Sequence, residues 1–191
     1  SLAVLRDIPG LVIACPSNGA DAVEMLRTCV RMAQEEQRGV VFVEPIALYM
    51  TRDLHDEGDG LWTHNYLSPE QSRRPTEGKS KAIKPGEFGQ YGEGTELCIL
   101  TYGNGYYLSR QAAKVLEDEH EVALRIIDLR WLAPLNEEQL AATIAECGHL
   151  LIVDECRGTG SISEALMALV KEQLPAELKV KRLTAEDSFI P

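Results

Sequence analysis

From residue 96 onward the chain repeats one pattern, in which a short apolar run is followed by a longer amphipathic stretch and then another apolar run. Strands are expected over 96–102, 122–129, 149–154 and 178–183. Helices are expected over 106–119 and 161–173, with a third opened by Asn136, where Glu138 and Gln139 favour the first turn. In the helix over 106–119, Leu108, Ala112, Val115 and Leu116 are expected to face inward. Short apolar runs bounded by turn residues suit strands covered on both faces, and amphipathic helices can supply that cover. A βαβαβαβ order with right-handed crossovers leaves few topologies. It points to an α/β fold with an open, doubly wound, mostly parallel sheet and helices on both faces.

The first fifty residues carry a smaller version of the same pattern. After Asp7-Ile8-Pro9-Gly10 comes an apolar run over 11–15, stopped by Pro16. Ser17 and Asn18 can cap a helix whose apolar positions Ala22, Val23, Leu26, Cys29, Val30 and Ala33 recur at three- and four-residue steps. A second run over 40–43 ends at Glu44-Pro45. This is a βαβ unit, so its two strands are expected to be parallel. Residues 51 to about 94 change character, with Asp, Glu, Gly, Pro, Ser, Lys and Arg dominating. A connection this long is uncommon inside a compact domain, so it reads as a connector or a functional excursion. Its basic residues Arg73, Arg74, Lys79, Lys81 and Lys84 have no aromatic side chains interleaved, which favours a solvated linker over a nucleic-acid site.

Composition removes several classes. The net charge of −11 and pI near 4.8 argue against nonspecific nucleic-acid binding, which needs a basic footprint. No apolar run reaches membrane-spanning length. Cys15, Cys29, Cys98, Cys147 and Cys156 are odd in number and lack CxxC spacing, giving neither a disulfide framework nor a zinc knuckle. Cys15, Cys98 and Cys147 sit in apolar surroundings and are expected in the core, which points to a reducing, cytoplasmic location. The opening at Ser1 and the close at Phe189-Ile190-Pro191 suggest a segment of a longer protein.

Three glycine motifs invite a cofactor. Gly103-Asn104-Gly105 follows a strand and precedes a helix, and Asp128 ends the next strand, which fits a dinucleotide fold. The third fingerprint position is Leu108 rather than glycine, however, and Tyr106 and Tyr107 crowd the phosphate position, so a tight turn is the better reading. Gly158-Thr159-Gly160-Ser161 lacks the lysine of a phosphate loop and reads as a turn before a capped helix. Gly58-Asp59-Gly60 looks like the start of a thiamine diphosphate motif, but Asn65 follows too soon and Asn104 lies in another unit. Of the histidines, His64 has a suggestive setting beside Trp62, Asn65 and Tyr66; His55, His120 and His149 have no Ser or Cys partner at a recognisable spacing. Asp154 and Glu155 end a strand and point to opposite faces, so they form no carboxylate pair. Arg130 reads as an internal ion-pair or interface residue.

Taken in order, short motifs across the chain resemble one family. Ile8-Pro9-Gly10-Leu11-Val12, Pro16-Ser17, Ala20-Asp21-Ala22 and Phe42-Val43-Glu44-Pro45 with Tyr49 look like the end of a pyrimidine-binding domain. Gly94-Thr95-Glu96, Thr101-Tyr102-Gly103, Ile127-Asp128-Leu129-Arg130, Pro134-Leu135 and Val153-Asp154-Glu155 look like a transketolase C-terminal domain. Together they resemble the beta subunit of the thiamine-diphosphate-dependent decarboxylating component of 2-oxo acid dehydrogenase complexes. The resemblance covers nearly everything outside residues 51–85. It implies that 1–50 are the C-terminal part of the pyrimidine-binding domain, 51–85 an inserted linker, and 86–191 a transketolase C-terminal-like domain.

The resemblance also implies oxidative decarboxylation of a 2-oxo acid with acyl transfer to a lipoyl group, using thiamine diphosphate and magnesium in the whole enzyme. The family's activating glutamate and active-site histidines precede the Ile-Pro-Gly segment. No catalytic, cofactor-binding or metal residue is therefore carried onto this sequence, and the segment is expected to be inactive alone and to bind no cofactor. Its implied partners are an alpha subunit or N-terminal half of the same enzyme, a second copy of itself, and the lipoyl acyltransferase core. Two alternatives stand beside this reading: a dinucleotide-binding oxidoreductase domain using Gly103, Gly105 and Asp128, and a non-catalytic interaction module.

Overall fold

The computed structural model describes residues 2–66, 68–70 and 82–188. Their chain order is α1 (Ala3–Arg6), β1 (Val12–Ala14), α2 (Gly19–Glu35), β2 (Val40–Phe42), a 3-10 turn (Ile46–Leu48), β3 (Gly89–Tyr91), β4 (Leu97–Thr101), α3 (Gly103–His120), β5 (Leu124–Asp128), β6 (Trp131–Ala133), α4 (Glu137–Ala145), β7 (His149–Arg157), α5 (Ile162–Gln173) and β8 (Lys179–Ala185). The basic residues Arg73, Arg74, Lys79 and Lys81 lie outside the described residues.

The main sheet has the order β3-β5-β4-β7-β8. Its strands β5, β4, β7 and β8 are parallel, paired from Leu97↔Leu124 to Thr101↔Asp128 and from Leu97↔His149 to Leu100↔Ile152. Helix α3 covers one face through Tyr106, Ala113 and Leu116, which pack with Ile99, Leu124 and Ile126. On the other face Leu140 and Ile144 of α4 and Leu166 and Val170 of α5 meet Cys98, Leu100, Ile127, Leu150 and Ile152. Helices on both faces of a mostly parallel sheet make it doubly wound, in agreement with the sequence pattern.

The glycine-rich stretch before β4 supplies a strand that sequence reading did not place. β3 adds to β5 as an antiparallel edge, Gly89↔Asp128 to Tyr91↔Ile126. Its signal was backbone room rather than apolar alternation. Gly92 has φ +70, and a Cβ on Gly94 would collide with the backbone of Ala123 and Leu124. The segment that leaves the edge strand can lie this close to Ala123 and Leu124 only because those positions have no side chain.

The N-terminal βαβ unit is parallel as expected, Val12↔Val40 to Ala14↔Phe42. Its sheet acquires a third, antiparallel strand from the far part of the sequence, because β6 pairs with β1 through Ile13↔Ala133 and Ala14↔Trp131. Trp131 is wholly buried there among Val12, Ala14, Met25 and Met32. Residues 51–66 also pack down: Leu54 and Trp62 are buried against Tyr106 and Tyr107, and Gln111 Nε2 donates to the Leu54 carbonyl at 2.7 Å.

Helices α2 and α3 are rotated from their expected phase. In α2 the buried stripe is Asp21, Glu24, Met25, Thr28, Cys29 and Met32, while Leu26 and Val30 are each 47% exposed. In α3 it is Tyr106, Ser109 and Ala113, whereas Leu108 and Val115 stand out and Ala112 is exposed. The cause in α3 is at its start. The helix begins at Gly103, three residues early, and Gly105 rides directly on Thr101, where a Cβ would overlap the Thr101 hydroxyl. That contact fixes which side faces the sheet.

The close approach of the segment after β3 to the start of β5 generates a stability prediction. Gly94→Ala forces a methyl group into the Ala123–Leu124 backbone and should cost about 1–3 kcal/mol. Urea denaturation of the variant against the parent measures it; a change within about 0.5 kcal/mol would mean the strand can move aside.

Candidate functional site

In an open α/β sheet, ligands bind outside the carboxyl ends of the strands where the strand order reverses. Here β4 leads to β5 on one side and the chain then crosses to β7 on the other, so the reversal lies between β4 and β7. The chain itself fills that position. Gly103 takes φ +55, and a Cβ there would stand 3.3 Å from each of Cys15 Sγ, Glu155 Oε1 and Pro45 Cγ. Glu155 accepts the Asn104 N–H, so an internal carboxylate lies at the helix N-terminus that would otherwise attract an anion. Burial, and then the neighbouring Asp154 charge, push the Glu155 carboxyl up. Burial, followed by Asp128 and Glu155, likewise pushes the Cys15 thiol up, leaving it unreactive.

These positions correct the dinucleotide alternative built on Gly103, Gly105 and Asp128. Gly103-Asn104-Gly105 is the first turn of α3, not a separate tight turn and not a cradle. Gly105 serves helix–strand packing. Asp128 is 1% exposed; its Oδ1 accepts from Ser17 Oγ at 2.8 Å and from the Arg130 N–H at 3.4 Å. A carboxylate enclosed in this way cannot reach the ribose of a bound nucleotide.

What the arrangement builds instead is a polar seam between the two sheets. Arg130 donates from Nε and Nη2 to the two oxygens of Asp21, at 2.8 and 3.0 Å, which realises the expected internal ion pair. Cys15 N–H donates to the Arg130 carbonyl at 2.7 Å. Beyond it, Asp154 accepts from Tyr102 Oη at 2.6 Å and from the N–H groups of Cys156 and Ser163 at 2.9 and 3.0 Å. Burial, then that hydrogen bond, hold the Tyr102 hydroxyl far above the usual phenol range, so it serves as a fixed donor. Ser17, Asp21 and Tyr102 are the members that sequence reading missed. Ser17 carried a capping signal, but the cap of α2 is Asn18, which accepts the Asp21 N–H at 3.0 Å.

The remaining motifs resolve locally. The 158–161 turn precedes α5, but Ser161 makes no side-chain cap; Glu164 takes the Gly160 N–H at 2.9 Å, and Asp154 takes that of Ser163. Asp59 accepts from the N–H groups of Leu54, His55, Asp56 and Leu61. Partial desolvation opposes ionisation, yet those bonds hold its carboxyl well below the usual carboxylate range. His64 is exposed, while its neighbour Trp62 is buried. His120 ends α3, and His149 Nδ1 lies 3.1 Å from the Glu96 carbonyl oxygen.

Two concavities lie on the surface, one beside this framework and one away from it. A cleft of about 250 Å³ lies between the start of α2 and the 44–62 segment, lined by residues that include Asn18, Phe42, Pro45, Tyr49 and Trp62. A shallower groove of about 510 Å³ crosses the opposite strand ends at Leu97, Val122, Leu151 and Val180. Among the described residues no group of three or more His, Cys, Asp or Glu could hold a metal ion. With the Asp59 carboxylate occupied by backbone donors as well, these residues do not fit a diphosphate–magnesium site. No helix among the described residues is long and apolar enough to cross a membrane.

Comparison with known proteins agrees with this geometry. Residues 86–191 match the family model "Transketolase, C-terminal domain". Over 195 residues the chain is 30% identical to a 2-oxoisovalerate dehydrogenase subunit beta from Pseudomonas aeruginosa, covering 99% of this chain and 51% of that one. Pyruvate dehydrogenase E1 component beta subunits from Staphylococcus aureus and Bacillus subtilis are 27% and 28% identical, covering 98% and 96% of this chain and 51% and 49% of theirs. A solved structure described as a split gene transketolase, inactive beta4 tetramer, superposes with a TM-score of 0.68 at 22% identity, over 98% of this chain and 52% of that one. The chain belongs to the transketolase C-terminal domain family, and it spans about half the length of the curated relatives it matches.

The seam predicts a pH dependence. Burial raises the Asp128 carboxyl to about 7, with the Ser17 hydrogen bond and the Arg130 charge opposing it. Because the folded value lies above the unfolded one, the folded chain keeps a proton there that the unfolded chain has lost. The group's stabilising contribution is present below the unfolded value of about 4 and disappears as pH rises through about 7. Asp128→Asn keeps the Oδ1 acceptor and places an amide at Oδ2, which is buried without a partner. Relative to the parent, the variant should gain on the order of 2–4 kcal/mol between pH 4 and pH 8. Parallel stability profiles for the two proteins would contradict a protonated Asp128.

Proposed function

We propose that this chain is the C-terminal half of the decarboxylating component of a 2-oxo acid dehydrogenase, supplying assembly surfaces and a rigid wall rather than reacting groups. The carrying observation is the alignment of almost the whole chain with about half of three dehydrogenase beta subunits. In this reading residues 1–50 are the closing part of a pyrimidine-binding domain, 51–85 connect, and 86–191 form the transketolase C-terminal-like domain. The whole enzyme binds thiamine diphosphate and magnesium, decarboxylates a 2-oxo acid and transfers the acyl group to a lipoyl arm. The activating glutamate and the histidines belong to the preceding half, so this half alone has no activity.

Several features support the reading. At the strand-order reversal Cys15, Pro45 and Glu155 pack against Gly103, and the Glu155 carboxylate takes the Asn104 N–H at the start of α3. The partners are an alpha subunit or N-terminal half of the same enzyme, a second copy, and a lipoyl acyltransferase core, in the cytoplasm. The net charge of −11 suits docking to a basic partner surface.

Decarboxylation of pyruvate and branched-chain 2-oxo acids, with thiamine diphosphate and magnesium, tests this directly. The full-length protein, with its alpha partner if that is separate, should turn over at least one substrate. The present chain alone should release no CO₂ above the uncatalysed rate, and adding the N-terminal half should restore turnover. A full-length protein inactive on every 2-oxo acid, yet folded and cofactor-bound, would overturn the proposal.

A further inference from the structure

The two faces of the main sheet are covered unequally. On one face both α4 and α5 pack against the strands, whereas on the other α3 is the only helix, and it is set to one side. The Arg110 guanidinium lies 3.8 Å over the Tyr91 ring on the β3 edge, while a Cβ on Gly105 would meet Val153 Cγ1 of β7 at 3.6 Å. Leu108, Ala112 and Val115 recur at i, i+4 and i+7 on the flank opposite Arg110, so that flank turns toward β8.

Beside it the sheet presents Leu151 and Val153 of β7 and Leu183 of β8. Leu151 pairs in register with Lys181 and Val153 with Leu183, so these side chains share one face. Leu108, Val115 and Leu183 are 53%, 47% and 58% exposed, and among the described residues no helix or strand lies over β8 on this face. The result is an open apolar trough. At the beginning of the strands it runs into the groove of about 510 Å³ beside Leu97 and Val122.

Width and charge define what fits. Neighbouring strands are about 4.8 Å apart, so β7 and β8 leave about 10 Å beside α3, roughly the diameter of one helix. One further helix would complete this layer as α4 and α5 complete the other. Lys179 and Lys181 stand on the same face as Leu183, along the edge of the sheet, and His149 is the register partner of Lys179. Among the described residues no ion pair engages either lysine. Glu96 is occupied by the Ala123 N–H at 2.7 Å, which leaves Glu119 as the carboxylate on the opposite, α3 wall. In a chain of net charge −11 this basic edge is a local exception, and it complements carboxylates on a partner.

We infer that this trough is the docking site for one amphipathic helix of another protein, with an apolar seam and a row of Asp or Glu along one edge of it. The seam lies on Leu151, Val153 and Leu183, and the acidic row meets Lys179 and Lys181. Ala112 is the small residue that lets the incoming helix approach α3 closely. Helix-in-groove recognition uses anchors at i, i+3, i+4 and i+7, and the opposite signs of the β8 and α3 walls set the direction in which the helix lies. Lysines on an edge strand also deter pairing with a foreign strand, but that role does not call for the apolar face beside them. The inference rests on no part of the decarboxylation reading.

Fluorescein-labelled peptides of 18 residues, the length of α3, serve as probes. One carries Leu and Ala along a helical seam, Glu along one edge and Gln elsewhere; the other has Lys in place of every Glu. Titrated with the native chain and followed by anisotropy, the Glu peptide should bind about tenfold more tightly than the Lys peptide, and salt should narrow the difference. Lys179→Glu combined with Lys181→Glu should reverse the preference, a gain of binding that loss of folding does not produce. Leu183→Gln should weaken binding of both peptides. Equal binding of the two, no binding of either at about 1 mM, a preference that does not reverse, or a dimer of the chain that Leu183→Gln dissociates would each overturn the inference. The decarboxylation assay is read separately, so failure of one proposal leaves the other standing.

Discussion

Arg130 is the residue on which the two sheets depend. The chain leaves β5 in the main sheet at Asp128 and begins β6 in the small sheet at Trp131, so it must change sheets across two residues. It does so with Arg130 at φ +58, a left-handed conformation that an arginine adopts only at some cost. The surrounding bonds hold it there. Its guanidinium forks onto Asp21, its carbonyl takes the Cys15 N–H, and its own N–H meets Asp128. A lysine could not reproduce the two-pronged contact with Asp21. Because Asp21 and Cys15 belong to the first βαβ unit, this one residue ties the beginning of the chain to its middle.

That tie explains how much of the structure was legible beforehand. The four apolar runs of the main sheet and the helices between them were readable, because period and length are local properties of the sequence. The parallel pairing of β1 with β2 was readable for the same reason. The phase of α2 and α3 was not. Leu26, Val30, Leu108 and Val115 form a plausible apolar stripe, but close contact of Gly105 with Thr101 and burial of Trp131 against Met25 and Met32 decide which side turns inward. β3 was hidden for a different reason, since glycines that permit a close approach look like a loop until the partner strand is seen. β6 was hidden because three residues after a left-handed turn carry almost no periodic signal.

The candidate site shows the same division. Arg130 as an internal ion pair was legible from its place after Asp128, whereas Ser17 and Asp21 were not, since they lie more than a hundred residues away from their partners. The three glycine motifs were judged on missing residues, and the structure adds what occupies each place: Glu155 at the start of α3, Asp154 and Glu164 at the start of α5, and Asp59 enclosed by its own loop. At each of the three turns the chain's own carboxylates take the backbone N–H groups. Membership of the transketolase C-terminal domain family accords with the doubly wound sheet that carries these turns.

The N-terminal βαβ unit and the main sheet form one cooperative body, joined through Arg130. Native-state hydrogen exchange of the Cys15 amide, which donates to the Arg130 carbonyl, tests this most directly when compared with the Ile126 and Ile127 amides of β5. All three should exchange with the same free energy, that of global unfolding. Exchange of Cys15 through a lower-energy opening, while the β5 amides stay protected, would instead show that the first unit detaches independently of the main sheet.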